Sequence, residues 1–139
     1  MVWSAPTPEP IGVGIDIEQV RPFNARTATR FFSPNEREQL SQTAAHRRDL
    51  LFWRIWTLKE CYGKALGVGL GYKIRETSFE LTDTKVFATV ERQFSFTQYI
   101  LSDERGQFVI SLCHPKQTDQ ADDNRVIRLT TTQFEWSFE

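Results

Sequence analysis

The sequence has few cysteines, little net charge and no long apolar run, and each of these absences argues against a class of protein. It contains only two cysteines, Cys61 and Cys113, too far apart for a short metal-binding spacing and too few for a disulfide scaffold. Its net charge is −1, so no large basic field indicates a nucleic-acid partner. No apolar run approaches the length of a membrane span, and residues 1–10 lack the basic start and apolar core of a secretory signal. These absences favour a cytoplasmic protein with structural thiols and with no nucleic-acid or membrane partner.

The composition is typical of a small globular protein. The chain has 139 residues, of which 40% are hydrophobic and 25% are charged, and this is enough to form one domain with a core. Pro6, Pro8 and Pro10 stiffen the start of the chain. We therefore expect a proline-rich lead-in over residues 1–10 and a single domain over residues 11–139.

Residues 11–18 alternate with the period of a β-strand. One face carries Val13, Ile15 and Ile17. The other face carries two glycines and the carboxylates of Asp16 and Glu18, which point to the same side and can share one hard cation. Oxygen ligands suit Mg²⁺, and the glycines are expected to leave room for a ligand near the backbone. The alternative is a solvated strand face, because carboxylates this close repel each other.

Residues 47–66 have the pattern of a long amphipathic helix that ends at Gly67. Glu60 and Lys64 are four residues apart and lie one turn apart on one face. The predicted core stripe consists of Leu51, Ile55, Leu58, Tyr62 and Ala65. An acid and a base held together beside a buried face can bind a metal and a phosphate. The alternative is an ordinary ion pair on a solvated helix.

The remaining segments predict an α+β fold with an antiparallel sheet packed on the long helix. A helical stretch is expected after Pro22 up to about Phe32, and Ser33-Pro34-Asn35-Glu36 has the pattern of a capping box that begins a helix to about Ala45. Strands are predicted at 77–81, 85–91, 94–101 and 107–113, with a hairpin turn at 103–106. Residues 116–124 form a polar loop, and residues 126–136 add a last strand or a docking tail.

The ordered set of motifs resembles the 4′-phosphopantetheinyl transferase superfamily. The family pattern is matched by Gly-Ile-Asp-Ile-Glu at 14–18, Phe-Phe-Ser at 31–33, Trp-x-x-Lys-Glu-x-x-x-Lys at 56–64 and Gly-x-Gly-Leu at 67–70. The resemblance implies a Mg²⁺-dependent transfer of the phosphopantetheine arm of coenzyme A to a serine of an apo acyl or peptidyl carrier protein. The second product would be 3′,5′-ADP.

The resemblance also implies a role for each matched residue. Asp16, Glu18 and Glu60 would hold Mg²⁺, and Glu60 would take the proton of the carrier serine. Lys64 would lie over the pyrophosphate, and Lys59 would contact phosphate as well unless it has a surface role. A basic cluster would bind the acidic carrier protein, or would otherwise be a solvated helix face; it consists of Arg21, Arg26 and Arg30.

The size of the chain departs from part of the family. Its motifs resemble the second lobe of the two-lobed, surfactin-synthetase-activating type, but its length is that of the short, trimeric holo-acyl-carrier-protein synthase type. It has no match to the first-lobe residues that hold the adenine and 3′-phosphate of coenzyme A. We therefore expect a homo-oligomer, a dimer or a trimer, covering an apolar face formed by the strands after Gly71. The alternatives are a non-catalytic carrier-binding lobe that needs a partner subunit and a metal-dependent phosphotransfer domain with another substrate.

Overall fold

One strand, three helices and five further strands follow one another in the described part of the chain. The computed structural model describes residues 12–67, 74, 76–89, 94–116 and 124–130. The elements are β1 (Gly14–Gln19), α1 (Ala25–Phe31), α2 (Pro34–Gln42), α3 (Ala45–Leu66), β2 (Phe79–Leu81), β3 (Val86–Ala88), β4 (Phe94–Asp103), β5 (Gly106–Pro115) and β6 (Arg125–Thr130). This order of elements confirms the predicted α+β class.

Four strands form the main sheet in the order β1-β5-β4-β6, and β2 and β3 form a separate antiparallel pair. β5 is central and pairs antiparallel with both β1 and β4. The predicted antiparallel arrangement has one addition, because β6 pairs parallel with β4. Since β1 and β4 already occupy the two edges of β5, β6 pairs with the remaining edge of β4.

The long helix α3 packs against the inner face of this sheet. Four residues of its predicted core stripe, Ile55, Leu58, Tyr62 and Ala65, are buried, and they meet Phe94 and Phe96 of β4 or the aromatic cluster around Phe52. Each fully buried apolar side chain of this size contributes roughly 1.5–3 kcal/mol. The amphipathic pattern of α3 therefore accounts for the main contact of the fold.

The helix ends follow the local sequence. Ser33 caps α2, and its capping box with Glu36 is complete, as predicted. Gly67 ends α3 with φ 77°, in the left-handed region that glycine adopts at helix ends. α3 begins at Ala45, two residues before the predicted start.

Several predicted segments lie partly or wholly outside the described residues. They are the lead-in at 1–10, the end of the Gly-x-Gly-Leu motif, most of the loop at 116–124 and the segment after Thr130. Within the described residues, no helix is both long and apolar enough to cross a membrane.

Candidate active site

The close approach of β1 and α3 builds the site. A Cβ atom placed on Gly14 would lie 1.8 Å from the carbonyl oxygen of Cys61, so only glycine allows the two backbones to come this close. The backbone N–H of Gly12 donates to the carbonyl of Ala65 across the same contact, at 3.2 Å. The expectation that these glycines leave room for a ligand is wrong at Gly14, because the backbone of α3 fills that space.

This contact brings Asp16 of β1 to Lys64 of α3. The ammonium of Lys64 donates to Asp16 Oδ1 and to the carbonyl of Ile15, each at 2.9 Å. The hydrogen bond to Asp16 raises the pKa of Lys64, so its charge is retained at neutral pH. Burial raises the pKa of Asp16 despite the opposing effect of Lys64. The two shifts differ in cause because the side chain of Asp16 is mostly buried, whereas that of Lys64 is half exposed.

Glu60 shares the electrostatic environment of this pair. Its pKa is raised first by burial and then by the charge of Asp16, while Lys64 opposes the shift and Glu18 adds to it. Glu18 itself pairs with Arg21 at 3.2 Å. The negative charges of the three carboxylates predicted to bind a metal therefore influence one another's pKa values across the contact of β1 with α3.

The chemistry of this donor set fits a hard cation. The donors are carboxylate oxygens, and Asp16 Oδ2 is buried without a hydrogen-bond partner. A bound cation would satisfy that oxygen. Nevertheless, no three His, Cys, Asp or Glu side chains of the described residues are arranged as a ready metal-binding group. The other oxygen of this carboxylate, Asp16 Oδ1, accepts a hydrogen bond from the ammonium of Lys64.

Lys59 lies away from this site, and its expected contact with phosphate stays a prediction. Its side chain is fully buried, and its ammonium pairs with Glu36 at 2.9 Å. It also donates to the carbonyls of Ile74 and Thr77, each at 2.7 Å. Lys59 would have to leave these partners to reach a phosphate beside Lys64. The sequence motif places Lys59 next to Glu60 in the chain, but the turn of the helix directs it elsewhere.

The structure divides the predicted basic cluster. Arg21 pairs with Glu18, and its guanidinium lies 3.9 Å from the centre of the Trp53 ring. It therefore belongs to the edge of the carboxylate site. Arg26 and Arg30 are exposed and lie four residues apart on α1, on one face of that helix. Their role in binding a carrier protein stays a prediction.

The full roles of Glu36 and Gly14 are not evident from the sequence. Glu36 caps α2 as predicted, but it is also fully buried, where it binds Lys59 and accepts from the N–H of Phe79.

The two cysteines are buried, and burial raises the pKa of the Cys61 thiol well above its usual value. Such a thiol is a poor nucleophile.

The fold and the site together define an α+β protein with carboxylates and a lysine at a strand–helix contact. The chain belongs to the 4′-phosphopantetheinyl transferase superfamily, because the sequence model of that family matches residues 12–113. It is 32% identical over 81 residues to the 4′-phosphopantetheinyl transferase psf-1 of Bacillus pumilus, which covers 58% of this chain. It is 40% identical over 75 residues to the 4′-phosphopantetheinyl transferase HetI of Nostoc sp., which covers 52% of this chain.

The chain spans about a third of the length of these curated relatives, since the matches cover 35% and 31% of them. A solved structure matches the fold over a larger share of both chains. The holo-(acyl-carrier-protein) synthase of Bacillus anthracis, crystallised in complex with CoA (3′,5′-ADP), has a TM-score of 0.58 at 20% identity. The alignment covers 78% of this chain and 97% of that one, which confirms the expected fold.

Proposed function

We propose that this chain transfers the 4′-phosphopantetheine arm of coenzyme A to a serine of an apo acyl or peptidyl carrier protein in the cytoplasm. The observation that carries the proposal is the contact of Lys64 with Asp16, which the Gly14 approach holds beside Glu60. A charged lysine and neighbouring carboxylates match the needs of a phosphoryl group that moves between two oxygen atoms.

Each residue has a defined part in the reaction. The raised pKa of Glu60 makes it a better base, and it takes the proton of the carrier serine directly or through a water. The serine oxygen bonds to the phosphorus that carries pantetheine, and the bridging oxygen of the pyrophosphate leaves with 3′,5′-ADP. The ammonium of Lys64 stabilises the negative charge that develops on the phosphates.

Asp16, Glu18 and Glu60 would hold Mg²⁺ when it is bound, and the ion would neutralise the pyrophosphate oxygens. The unpartnered Asp16 Oδ2 supports Asp16 as the first of these ligands. Lys64 would then be free to move from Asp16 to the phosphates. Lys59 has no part in this proposal, because its ammonium already has three buried partners.

We also propose that the chain forms a homo-oligomer in which a second copy contributes to the site. The outer face of β1 is apolar and exposed, since Ile15 is 50% and Ile17 57% accessible, and Val13, directly before β1, is 62% accessible. Ile15 and Ile17 lie opposite Leu112 and Ile110 of β5, so the apolar face continues across the sheet. Such a face favours a second copy of the chain as its partner. The expected face included only the strands after Gly71, whereas this one begins at β1.

Carrier loading tests the proposed function. The purified chain is incubated with coenzyme A, Mg²⁺ and several apo-carriers, and mass spectrometry measures addition of the phosphopantetheine arm. Glu60→Gln and Lys64→Ala are each expected to lower turnover by about 100-fold or more, because they remove the base and the phosphate charge. Lys64→Arg should restore only part of the loss, since a planar guanidinium does not replace a compact ammonium.

Glu104→Gln, in the exposed turn between β4 and β5, is the matched control and should load carriers at the wild-type rate. No loading of any carrier by the folded wild-type chain would contradict the proposal and would favour a non-catalytic carrier-binding lobe. Wild-type turnover of Lys64→Ala at saturating coenzyme A would show that the assigned residues are wrong.

A further inference from the structure

A cavity of about 450 Å³ lies along the first half of α3, between the α2–α3 connection, the β2–β3 turn and β6. Three arginines line it, one from the start of α3, one from its middle and one from β6: Arg47, Arg54 and Arg128. Asp83 is the one carboxylate among its described lining residues. The cavity therefore has an excess of positive charge.

Arg54 is the unusual member of this group, because it is 4% exposed and incompletely bonded. Its Nε donates to Gln98 Oε1, and Gln98 Nε2 in turn donates to the carbonyl of Arg54 at 3.0 Å. The first bond fixes the Nε edge of the guanidinium, and the second ties Gln98 to the backbone of Arg54. Its Nη2 is buried and has no partner. A buried charged donor without an acceptor is costly, so this atom indicates a missing anion.

The surroundings of Arg54 do not supply that anion. The pKa of Arg54 is lowered to about 10, first by burial and then by the charges of Arg128 and Arg47, and only Asp83 opposes this shift. Asp83 is engaged elsewhere, since its Oδ1 pairs with Arg47 at 3.0 Å and its carbonyl accepts from Arg128. Arg54 stays charged at neutral pH because its pKa is still far above 7.

The start of α3 adds a second favourable element. Ala44 caps this 22-residue helix without a side-chain hydrogen bond, and the first turn has no acidic residue. Ala44 also lines the cavity. The partial positive charge of a helix N-terminus favours an anion at this place, in addition to the arginines.

We propose that this cavity binds a phosphate group, held by Nη2 of Arg54 and by the guanidinium groups of Arg47 and Arg128. Guanidinium groups bind phosphate oxygens through paired N–H donors, and the cavity is large enough for a phosphomonoester. The site is separate from the candidate active site, because Arg54 precedes Glu60 by six residues, about 9 Å along the helix axis, and contacts β4 instead of β1.

Thermal unfolding measures this binding without any need for transferase activity. The wild-type chain is titrated with inorganic phosphate while sodium chloride keeps the ionic strength constant, and phosphorus NMR line broadening measures binding directly. We expect a saturable rise in Tm with phosphate that chloride does not produce. Methyl phosphate in a parallel titration distinguishes the source: binding of both indicates the phosphate end of a larger molecule, and binding of inorganic phosphate alone indicates free phosphate.

Arg128→Gln is the decisive variant, because it removes a cavity charge without altering the buried Arg54. It should weaken phosphate binding by about tenfold, as expected for one hydrogen bond between charged groups. Arg105→Gln removes the same charge from an arginine whose side chain is 79% exposed and which pairs with Asp103, so it should bind phosphate like the wild type. No saturable phosphate effect on the wild type, or equal affinities of Arg128→Gln and Arg105→Gln, would overturn the proposal.

Discussion

Glu60 is a half-buried glutamate on α3 whose pKa is raised by burial and by the nearby Asp16, with Lys64 opposing and Glu18 adding to the shift. A raised carboxyl pKa means that folding disfavours the charged form. This suits a group that must accept a proton, but it also destabilises the folded chain at neutral pH. Glu60 therefore links the proposed chemistry to a measurable effect on stability.

Glu60→Gln should raise the free energy of unfolding at pH 7 by about 0.5–1 kcal/mol, while it lowers the rate of carrier loading by about 100-fold or more. The folded chain binds more protons than the unfolded chain between the unfolded pKa, near 4.3, and the raised folded pKa, so the penalty of Glu60 grows as pH rises through that window. Urea unfolding at pH 7 and at pH 4 measures the free energy of unfolding of Glu60→Gln and of the wild type. The stability gained by Glu60→Gln should vanish at pH 4.

The exposed Glu104 provides the control, because Glu104→Gln should leave the free energy of unfolding within about 0.5 kcal/mol of the wild type at both pH values. A loss of stability in Glu60→Gln at pH 7 would mean that Glu60 makes a stabilising contact that outweighs its burial.

Two neighbouring positions of α3 serve different parts of the fold. Glu60 and Lys64 face β1, whereas Lys59 reaches Glu36 at the start of α2 and the carbonyls of Ile74 and Thr77. Burial lowers the pKa of Lys59 and raises that of Glu36, so each charge is stable there only because of the other. The pair joins α2, α3 and the chain before β2, away from the contact of Asp16 with Lys64.

Lys59→Met should lower the free energy of unfolding by about 3–5 kcal/mol, because it leaves the carboxylate of Glu36 buried without its cation. The double variant Glu36→Leu, Lys59→Met should recover part of this loss, since it removes both charges. Denaturant unfolding measures both variants, with Lys85→Met at an exposed position as the control. A stable Lys59→Met variant with a raised KM for coenzyme A would instead support the phosphate contact that the family motif implies.

At the scale of the whole molecule, the sheet has one covered and one open face. The inner face packs on α3, and the outer face exposes Ile15 and Ile17 of β1 together with Val13, which directly precedes β1. β1 is also an edge strand among the described strands. An exposed apolar edge is prone to pair or pack with another chain, which agrees with the proposed homo-oligomer.

Light scattering at micromolar concentration should show a dimer or a trimer of the wild-type chain, and Ile17→Glu should convert it to a monomer by placing a charge in the apolar face. Phe87→Glu is the matched control, because Phe87 is 52% exposed on the separate β2–β3 pair. The Ile17→Glu monomer should lose carrier loading. A wild-type monomer that loads carriers at full rate would contradict the shared site.

Local sequence determined most of the elements of this protein. The alternation at β1, the capping box at Ser33, the amphipathic pattern of α3 and its glycine end at Gly67 act over a few residues, so they can be predicted without knowledge of the rest of the chain. The same patterns indicated the residues of the candidate site, because Asp16, Glu60 and Lys64 belong to motifs with fixed spacing. The placement of β6 depended instead on which strand edges were free.

Contacts between distant segments were decided only by the tertiary structure. Gly14 serves close packing on Cys61 and Ala65 and leaves no ligand space, and Lys59 pairs with the buried Glu36, which is distant in the sequence. The burial of Arg54, whose Nη2 has no partner, comes from its contact with Gln98 of β4 and from the cavity that it lines together with Arg128 of β6. A sequence specifies which face a residue occupies through its period along the chain, but the partner on that face comes from packing across many residues, where burial and charge determine which contacts are stable.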